Sequence, residues 1–399
     1  MSHHVLILGG AYAGIAAMRE LSCHAELQIT LIDQHPYHFL QTEGYELISS
    51  NTPFDDTIVS LPALCANYEN VTFKHRRIVS VDKEKKVVHL EHEEVSYDTL
   101  IIALGSVTKF FNCADNVYNY SSGAKSLRGA LKLNQFFQDE LYKRLESNKK
   151  AKESFNIIVG GAGLSGVEIA AGMQEFFNRY YTSNSLCCAK LQIHLIASRE
   201  TVLNGMHPKI IQSATKRLKE LSVNVHTSSR LKNIEAHTAL LENGTAIDFD
   251  FMIFAGGTTT APCLTDLELE QKPNGQFVVD AHLRATEDKN IYIIGDSAAL
   301  CDKKGRALPP TAQTAKQSGK LAASNLLRSL KNKKLKKSDL KIKGIAIALG
   351  GKYAAIDLGY LRVDGYAAYL IKKLIERFYK WPLWWQAARG FKKIDSCDI

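Results

Sequence analysis

One pattern occurs twice in this chain: a run of apolar residues, a glycine-rich loop, and a stretch with helical periodicity. The loops occupy residues 9–14 and 161–166, so their last glycines, Gly14 and Gly166, lie 152 residues apart. A buried parallel strand followed by such a loop and a helix is typical of a dinucleotide-binding Rossmann domain. Two copies within 399 residues therefore predict two such domains rather than a solenoid.

Later strands predict how the two domains are connected. Residues 97–106 and 250–257 each read as the strand that closes one copy, and 290–296 form a further strand beyond the second copy. We therefore predict an α/β fold in which the second Rossmann-like domain is inserted into the first. The predicted ranges are 1–112 and 269–335 for the first domain, 113–268 for the inserted domain and 336–399 for a C-terminal region.

Charge is distributed unevenly along the chain, which bounds the partners that it can have. The net charge is +9, yet residues 1–300 carry 28 basic and 34 acidic residues, and residues 301–399 carry 22 basic and 7 acidic ones. A nucleic-acid-binding protein is therefore not expected, whereas the basic last quarter predicts contact with an anionic surface. Seven lysines lie within 331–343, which we interpret as a solvated linker.

Cysteine spacing and hydropathy exclude several other classes. The eight cysteines include no C-x-x-C pair, so no metal site and no thioredoxin-type disulfide are predicted. No run approaches the roughly 18 apolar residues of a membrane-spanning helix. The first residues lack a basic region and a cleavage site, so we do not expect secretion.

The glycines have a physical role, because they let the backbone approach a pyrophosphate while the helix N-terminus offers free N–H groups. The second loop fits the full G-x-G-x-x-G fingerprint, whereas the first has alanine at its middle position. The candidate contacts in the first loop are Gly9, Ala11, Tyr12, Ala13 and Gly14. Those in the second loop are Gly161, Gly163, Leu164, Ser165 and Gly166.

The residue after the second strand of each copy distinguishes the two nucleotides. Asp33 lies 19 residues after Gly14, where a carboxylate can bind the ribose hydroxyls of an adenosine. The second copy has Ala197 there, followed by Ser198 and Arg199, which could bind a 2′-phosphate. This favours NADPH, or use of both NADH and NADPH, although Arg199 could instead be a solvated surface residue.

Gly295 and Asp296 end a strand after both nucleotide folds, which indicates a flavin. A carboxylate at this place can hydrogen-bond the ribityl and pyrophosphate end of FAD. The alternative is that Asp296 caps a helix.

In these motifs the chain resembles the flavoproteins with two dinucleotide-binding domains, specifically the type II NADH:quinone oxidoreductases, over about residues 4–380. Residues 36–43 are similar to the family's flavin-contacting loop, and 160–168 to its NADH loop. Gly105-Ser106, Phe110-Phe111 and 125–127 look like its domain crossover. Residues 310–319 look like the start of the helix that begins beneath its flavin.

The resemblance implies roles for individual residues. Gln313 and Gln317 would line a quinone pocket, and Glu168 would position NADH or handle protons. The alternatives are a surface pair for the two glutamines and, for Glu168, an acid favoured by the helix dipole. Further implied nucleotide contacts are Thr42, Ile78, Ala103, Gly105, Gly256 and Ala312. The sequence departs from the family's usual residues at three positions: Ala11, Leu104 in the Ala-Leu-Gly stretch, and Ala197.

Residues 365–385 predict an amphipathic helix. At about 100° per residue, one face collects Lys372, Lys373, Glu376, Arg377 and Lys380. The other residues are apolar, and the chain's three tryptophans follow at Trp381, Trp384 and Trp385. This pattern is typical of a helix that lies on a membrane surface, although the helix could instead pack on the protein's own core or on a partner subunit.

Together these expectations describe a peripheral membrane enzyme of a respiratory chain, at the cytoplasmic face. FAD would take a hydride from NADH or NADPH and pass two electrons to menaquinone or ubiquinone, without proton pumping. A homodimer is compatible with this description. Two alternatives stay open, a sulfide:quinone oxidoreductase and a slow NAD(P)H-sensing flavoprotein scaffold. The first would need a cysteine pair near the flavin, such as Cys113 and Cys301.

Overall fold

Two parallel five-stranded sheets organise the computed structural model, which describes residues 2–110, 121–146, 154–183, 190–235 and 237–394. The first sheet has the order β20-β9-β1-β2-β5. Its strands are β1 (His3–Leu8), β2 (Leu27–Asp33), β5 (Val71–His75), β9 (Thr99–Ile102) and β20 (Ile291–Ile293). The chain leaves this sheet after β9 and returns to it with β20.

The second sheet repeats the arrangement with the order β11-β18-β12-β13-β14. Its strands are β11 (Ser121–Gly123), β12 (Ser154–Gly160), β13 (Lys190–Ile196), β14 (Asn224–His226) and β18 (Phe251–Phe254). Both sheets are parallel throughout and have a strand–loop–helix unit at the centre. The predicted fold of two Rossmann-like domains, one inserted in the other, is confirmed. The predicted boundary at 112/113 lies outside the described residues.

Eight helices lie in the described ranges. They are α1 (Tyr12–Leu21), α2 (Gln41–Ile48), α3 (Leu61–Cys65), α4 (Leu127–Glu146), α5 (Leu164–Ser183), α6 (Pro208–Glu220), α7 (Ala312–Leu330) and α8 (Tyr366–Phe391). Single 3₁₀ turns lie at Asp55–Thr57, Pro262–Leu264 and Gly295–Ser297. Each of these helices is too short or too polar to cross a bilayer.

Smaller antiparallel sheets surround the two parallel ones. Three of them have three strands: β6 (Ile78–Asp82), β7 (Val87–Leu90) and β8 (Glu94–Ser96); β15 (Leu231–Glu235), β16 (Thr238–Leu241) and β17 (Ala246–Asp248); β21 (Ile345–Ala348), β22 (Ala354–Asp357) and β23 (Arg362–Gly365). Two have two strands: β3 (Tyr37–Phe39) with β4 (Ile58–Ser60), and β10 (Ser106–Thr108) with β19 (Thr258–Thr260). The β10–β19 ribbon lies where the chain passes between the parallel sheets.

The central strands are buried on both faces, as parallel strands covered by helices must be. Val5, Leu6, Ile7 and Leu8 of β1 are fully buried, so the apolar run that precedes the first loop forms the core. Helix α7 packs closely on α1 because Gly319 allows it: a Cβ there would lie 2.3 Å from the carbonyl oxygen of Ala13. This packing places the start of α7 beside the first glycine-rich loop.

Helix α8 is amphipathic as predicted, but the lysines of its predicted basic face turn toward the protein, while Arg377 of that face is exposed. Lys372, Lys373 and Lys380 face the protein, where they pair with Glu43 and Glu46 of α2. The acidic residues on α2 neutralise these lysines, so they are not available to an anionic membrane. The apolar side of α8 faces outward instead.

Candidate functional site

The first glycine-rich loop has the geometry of a phosphate cradle. Gly9 has φ +103°, and a Cβ on Gly14 would lie 1.9 Å from the carbonyl oxygen of Gly9. Ala11 occupies the N-cap of α1 in an extended conformation, and its methyl group cannot accept a hydrogen bond. The first-turn N–H groups of α1, which include that of Tyr12, therefore remain open to an anion. Ala11, which takes the place of a glycine, is exposed.

The second loop repeats these distances. Gly161 has φ +120°, and a Cβ on Gly166 would lie 1.8 Å from the carbonyl oxygen of Gly161. A Cβ on Gly163 would have no atom within 4 Å, so this exposed position is open to a ligand. Leu164 and Ser165 begin α5 directly after it. Both loops thus fit a dinucleotide pyrophosphate.

Asp33 ends β2 beside the first loop. Its carboxylate accepts hydrogen bonds from the main-chain N–H groups of Gly10, at 2.7 Å, and His35, at 2.8 Å. Burial raises the pKa of Asp33, and these two hydrogen bonds oppose the shift. Each oxygen retains a further lone pair, so the carboxylate fits the predicted contact with ribose hydroxyls.

The corresponding place in the second domain carries no carboxylate. Ala197 is buried just after β13, while Ser198 and Arg199 are exposed. Their main chain is fixed, because the carbonyl of Arg199 accepts from the N–H of Ser228 at 2.8 Å. A hydroxyl and a guanidinium therefore lie at the edge where the adenosine ribose of a Rossmann ligand binds.

Asp296 accepts hydrogen bonds from the crossover segment and so links that segment to the first domain. Lys125 donates to its Oδ2 at 3.2 Å, and the hydroxyl of Ser106 donates to the same oxygen at 2.8 Å. Ser297 donates to the carbonyl of Gly105 at 2.9 Å. Ser106 and Lys125 of the crossover thus meet a carboxylate that lies 190 and 171 residues later in the chain. Lys125 is a charged partner of Asp296 that the strand-end motif alone does not predict.

Glu168 lies in α5 behind the second loop. Its Oε1 accepts from the main-chain N–H of Ala348, at the end of β21, at 2.7 Å. Burial raises the pKa of Glu168 to about 7, against the attraction of Lys372 and the Ala348 hydrogen bond, and the charges of Glu376 and Glu46 add to the rise. This carboxyl can therefore hold or release a proton near neutral pH.

Gln313 and Gln317 lie on one face of α7, and both amides bind the main chain of 341–344. Gln313 donates to the carbonyl of Gly344 at 2.5 Å and accepts from the N–H of Lys343 at 3.0 Å. Gln317 donates to the carbonyl of Lys341 at 2.9 Å and accepts from its N–H at 3.3 Å. In this structure the two glutamines therefore fix the end of the lysine-rich segment.

The remaining candidates are spread over several elements. Thr42 bonds the hydroxyl of Tyr12, with 3.2 Å between the oxygens, and Ala103 packs against Gly14. Ile78 is buried in β6. Gly256 lies beside Gly161, because a Cβ added to Gly161 would be 2.9 Å from the Cα of Gly256. Ala312 is the first residue of α7 and follows the capping residue Thr311.

Sequence reasoning missed a buried group that α8 brings to the first loop. The hydroxyl of Tyr379 lies 3.1 Å from Nε2 of His38, and its ring centroid is 5.1 Å from that of Tyr12. Burial lowers the pKa of His38 to about 3, so this histidine is neutral at physiological pH. No local motif indicates Tyr379, because its partners lie more than 300 residues away.

Residues 3–319 match the pyridine nucleotide-disulphide oxidoreductase family. The chain belongs to this family. Two curated relatives align with more of this chain than the region that the family matches. One, the type II NADH:quinone oxidoreductase of Haemophilus influenzae, is 26% identical, and the match covers 87% of this chain and 85% of the relative. The other, a demethylphylloquinone reductase of Synechocystis, is 27% identical over 95% of this chain and 92% of its own.

A solved structure shows the same fold over almost the whole chain. This is NDH2 of Plasmodium falciparum in complex with NADH, with a TM-score of 0.86 and 20% identity, covering 98% of each chain. The predicted resemblance to the type II enzymes is thus confirmed as a likeness of sequence and of fold.

Proposed function

We propose that this oxidoreductase is a FAD-dependent NAD(P)H:quinone oxidoreductase. The observation that carries the proposal is the pair of glycine-rich loops of matching geometry, one in each parallel sheet, within a chain that aligns along most of its length with type II enzymes. When bound, FAD would accept a hydride from the nicotinamide and pass two electrons to the quinone. The protein itself supplies binding, orientation and proton handling.

In this proposal the first domain binds FAD. The open N–H groups of α1 hold its pyrophosphate, Asp33 holds the adenosine ribose, and Asp296, paired with Lys125, contacts the ribityl end. The second loop binds the pyrophosphate of NAD(P)H. Glu168 would then face the reacting groups, with its proton available near neutral pH.

We expect use of NADPH as well as NADH. An acid at position 197 would repel a 2′-phosphate, and the chain has a buried alanine there, flanked by exposed Ser198 and Arg199. A guanidinium and a hydroxyl are suitable donors to a phosphate.

The quinone would bind near the start of α7. The amides of Gln313 and Gln317 bond the main chain of 341–344 in this structure, so a direct contact with quinone requires exchange of these bonds. Their predicted role in quinone binding stays a prediction, and their observed role is to hold that segment.

We also propose that α8 attaches the enzyme to a membrane, at the cytoplasmic face where NAD(P)H is available. Phe378, Trp381 and Trp385 are 76%, 68% and 60% exposed along one side of the helix. Clustered aromatic residues are suited to the interface between lipid and water. The same face could instead pair two subunits, and a homodimer in solution with no affinity for vesicles would favour that alternative.

The test is anaerobic reduction of the purified flavoprotein with NADH, NADPH or sulfide in separate samples. We expect NADH or NADPH to bleach the flavin absorbance rapidly and sulfide to leave it unchanged. Bleaching by sulfide alone would favour a sulfide:quinone oxidoreductase. A flavin that none of the three reduces, or reduces only slowly, would favour a sensing scaffold and contradict the proposal.

A further inference from the structure

A cluster of lysines lies on the face of α7 that carries the two glutamines. Gln313, Lys316, Gln317 and Lys320 are spaced three and four residues apart, so they share one side of the helix. Lys320 is exposed and Lys316 is partly buried. This side of α7 therefore presents two positive charges beside two amides.

The glutamines bring a third lysine to the cluster. The amide of Gln313 binds the N–H of Lys343 and the carbonyl of Gly344, which fixes the main chain at the exposed Lys343. The charges of Lys320 and Lys343 act on Lys316: burial lowers its pKa, and repulsion from these two lysines lowers it further. Lys316, Lys320 and Lys343, the α7 lysine cluster, thus lie close together.

The cluster borders the exposed apolar side of α8. The ammonium group of Lys316 lies 4.3 Å from the ring centroid of Tyr379. On the helix, Tyr379 follows Phe378 and lies one turn after Ile375, both of which are exposed. Positive charge therefore meets apolar surface along the edge of α8 that faces α7.

The lysines of α8 that face α2 are neutralised, whereas the three lysines of the α7 cluster are not. Lys372, Lys373 and Lys380 pair with glutamates of α2 and α8. Within the described parts of the chain, the ion pairs leave Lys316, Lys320 and Lys343 without a carboxylate within 4.0 Å. Like charges held together without a counter-ion indicate an anionic partner outside the molecule.

We propose that the α7 lysine cluster binds the phosphate groups of anionic membrane lipids while the apolar side of α8 enters the bilayer. Both surfaces are continuous, and lipid alone offers an anionic layer directly beside an apolar one. The inference rests on the proposed membrane attachment, and it assigns the affinity for anionic lipid to the α7 lysine cluster rather than to the ion-paired lysines of α8.

The test compares flotation of the flavoprotein with vesicles of phosphatidylcholine alone and of phosphatidylcholine mixed with phosphatidylglycerol. For the double variant K320Q/K343Q we expect a loss of about tenfold or more in binding to the anionic vesicles, with little change on the neutral ones. The charge-preserving K320R/K343R variant should bind as the wild type does. Both positions are exposed, and retention of FAD verifies folding.

A matched control removes two exposed lysines elsewhere in the linker, in K333Q/K337Q, with the same change in net charge. An equal or larger loss for this control would overturn the inference, since general charge would then explain the binding. Unchanged binding of K320Q/K343Q would also overturn the inference. The partner of the α7 lysine cluster would then be an acidic protein. Turnover with a soluble short-chain quinone, measured on the same samples, separates these outcomes from a failure of the proposed enzyme activity.

Discussion

Glu168 is a residue whose surroundings change its chemistry. The main-chain N–H of Ala348 fixes one carboxylate oxygen, and burial raises the pKa to about 7. The side chain therefore changes its protonation state near neutral pH. A carboxyl with this pKa can act as an acid or a base under physiological conditions.

We predict that the rate of flavin reoxidation by quinone has a pH inflection near 7 that Glu168→Gln removes. The substitution should also slow this step by roughly a hundredfold at low pH, where the carboxyl can donate. Stopped-flow measurements from pH 5.5 to about 8.5 would bracket the pKa. The surface variant Glu220→Gln should retain the inflection, and its persistence in Glu168→Gln would show that another group titrates.

The same pKa makes a prediction about stability. Because the folded-state pKa lies above the ordinary value of 4.5, Glu168 contributes most below that pH, and its contribution is lost as pH rises through about 7. The difference in unfolding free energy between the wild type and Glu168→Gln should therefore fall over this interval. Chemical denaturation at several pH values measures it, and a difference that rises with pH would contradict the assigned direction.

Ala197 controls the choice of nucleotide in our account. Ala197→Asp places a carboxylate where the 2′-phosphate would lie, so KM for NADPH should rise about tenfold or more while KM for NADH changes little. Steady-state kinetics with both nucleotides measure this. Equal effects on both would show that the position acts on folding and not on phosphate recognition.

The sequence predicts some of these residues and not others, for a physical reason. The loop glycines and Asp33 follow from local spacing, because a strand, a tight turn and a helix N-terminus form within one short segment. The pKa of Glu168 depends on Ala348 and Lys372, which come from about 200 residues later in the chain. Local patterns carry no information about such partners.

At the scale of elements, the ion pairs between α2 and α8 fix the orientation of the C-terminal helix. Lys380 donates to Glu43 at 2.6 Å, and Glu43 is only 3% exposed. Helical periodicity predicts both faces of α8 correctly. It cannot tell which face turns inward, because that depends on Glu43 and Glu46 of a distant helix.

We predict that Lys380→Met destabilises the protein by about 3 kcal/mol, because it leaves the buried Glu43 carboxylate without its partner. The double variant Glu43→Leu with Lys380→Met removes both charges and should recover most of this loss. Chemical denaturation of the three proteins measures the effect. Equal stability of Lys380→Met and wild type would indicate that the pair is not formed.

The outward face of α8 gives a second prediction at this scale. Replacing Phe378 and Trp381 by serine should reduce binding to neutral vesicles by at least about tenfold, since each large apolar side chain loses its transfer into lipid. The exposed Phe136 of α4 provides a control, and Phe136→Ser should bind as the wild type does. Unchanged binding of the double variant would place the membrane contact elsewhere.

At the scale of the whole molecule, the two glycine-rich loops lie in separate sheets that the chain connects by the β10–β19 ribbon. The insertion was predictable, because β20 follows the second domain in the sequence and leads directly into the turn that carries Asp296. The path of residues 341–344 over α7 was not predictable from the sequence. Side-chain amides hold this segment, and no strand pattern marks it. Residues 111–120 of the crossover, with Phe111 and Cys113, lie outside the described ranges.

In the proposed reaction, electrons pass from NAD(P)H through one bound flavin to a quinone. This transfer is measured by reducing the enzyme anaerobically with stoichiometric NADH or NADPH and then mixing it with a menaquinone or ubiquinone analogue. We predict that the flavin absorbance returns rapidly and that one quinol forms for each flavin. A flavin that stays reduced in the presence of both quinones would contradict the account.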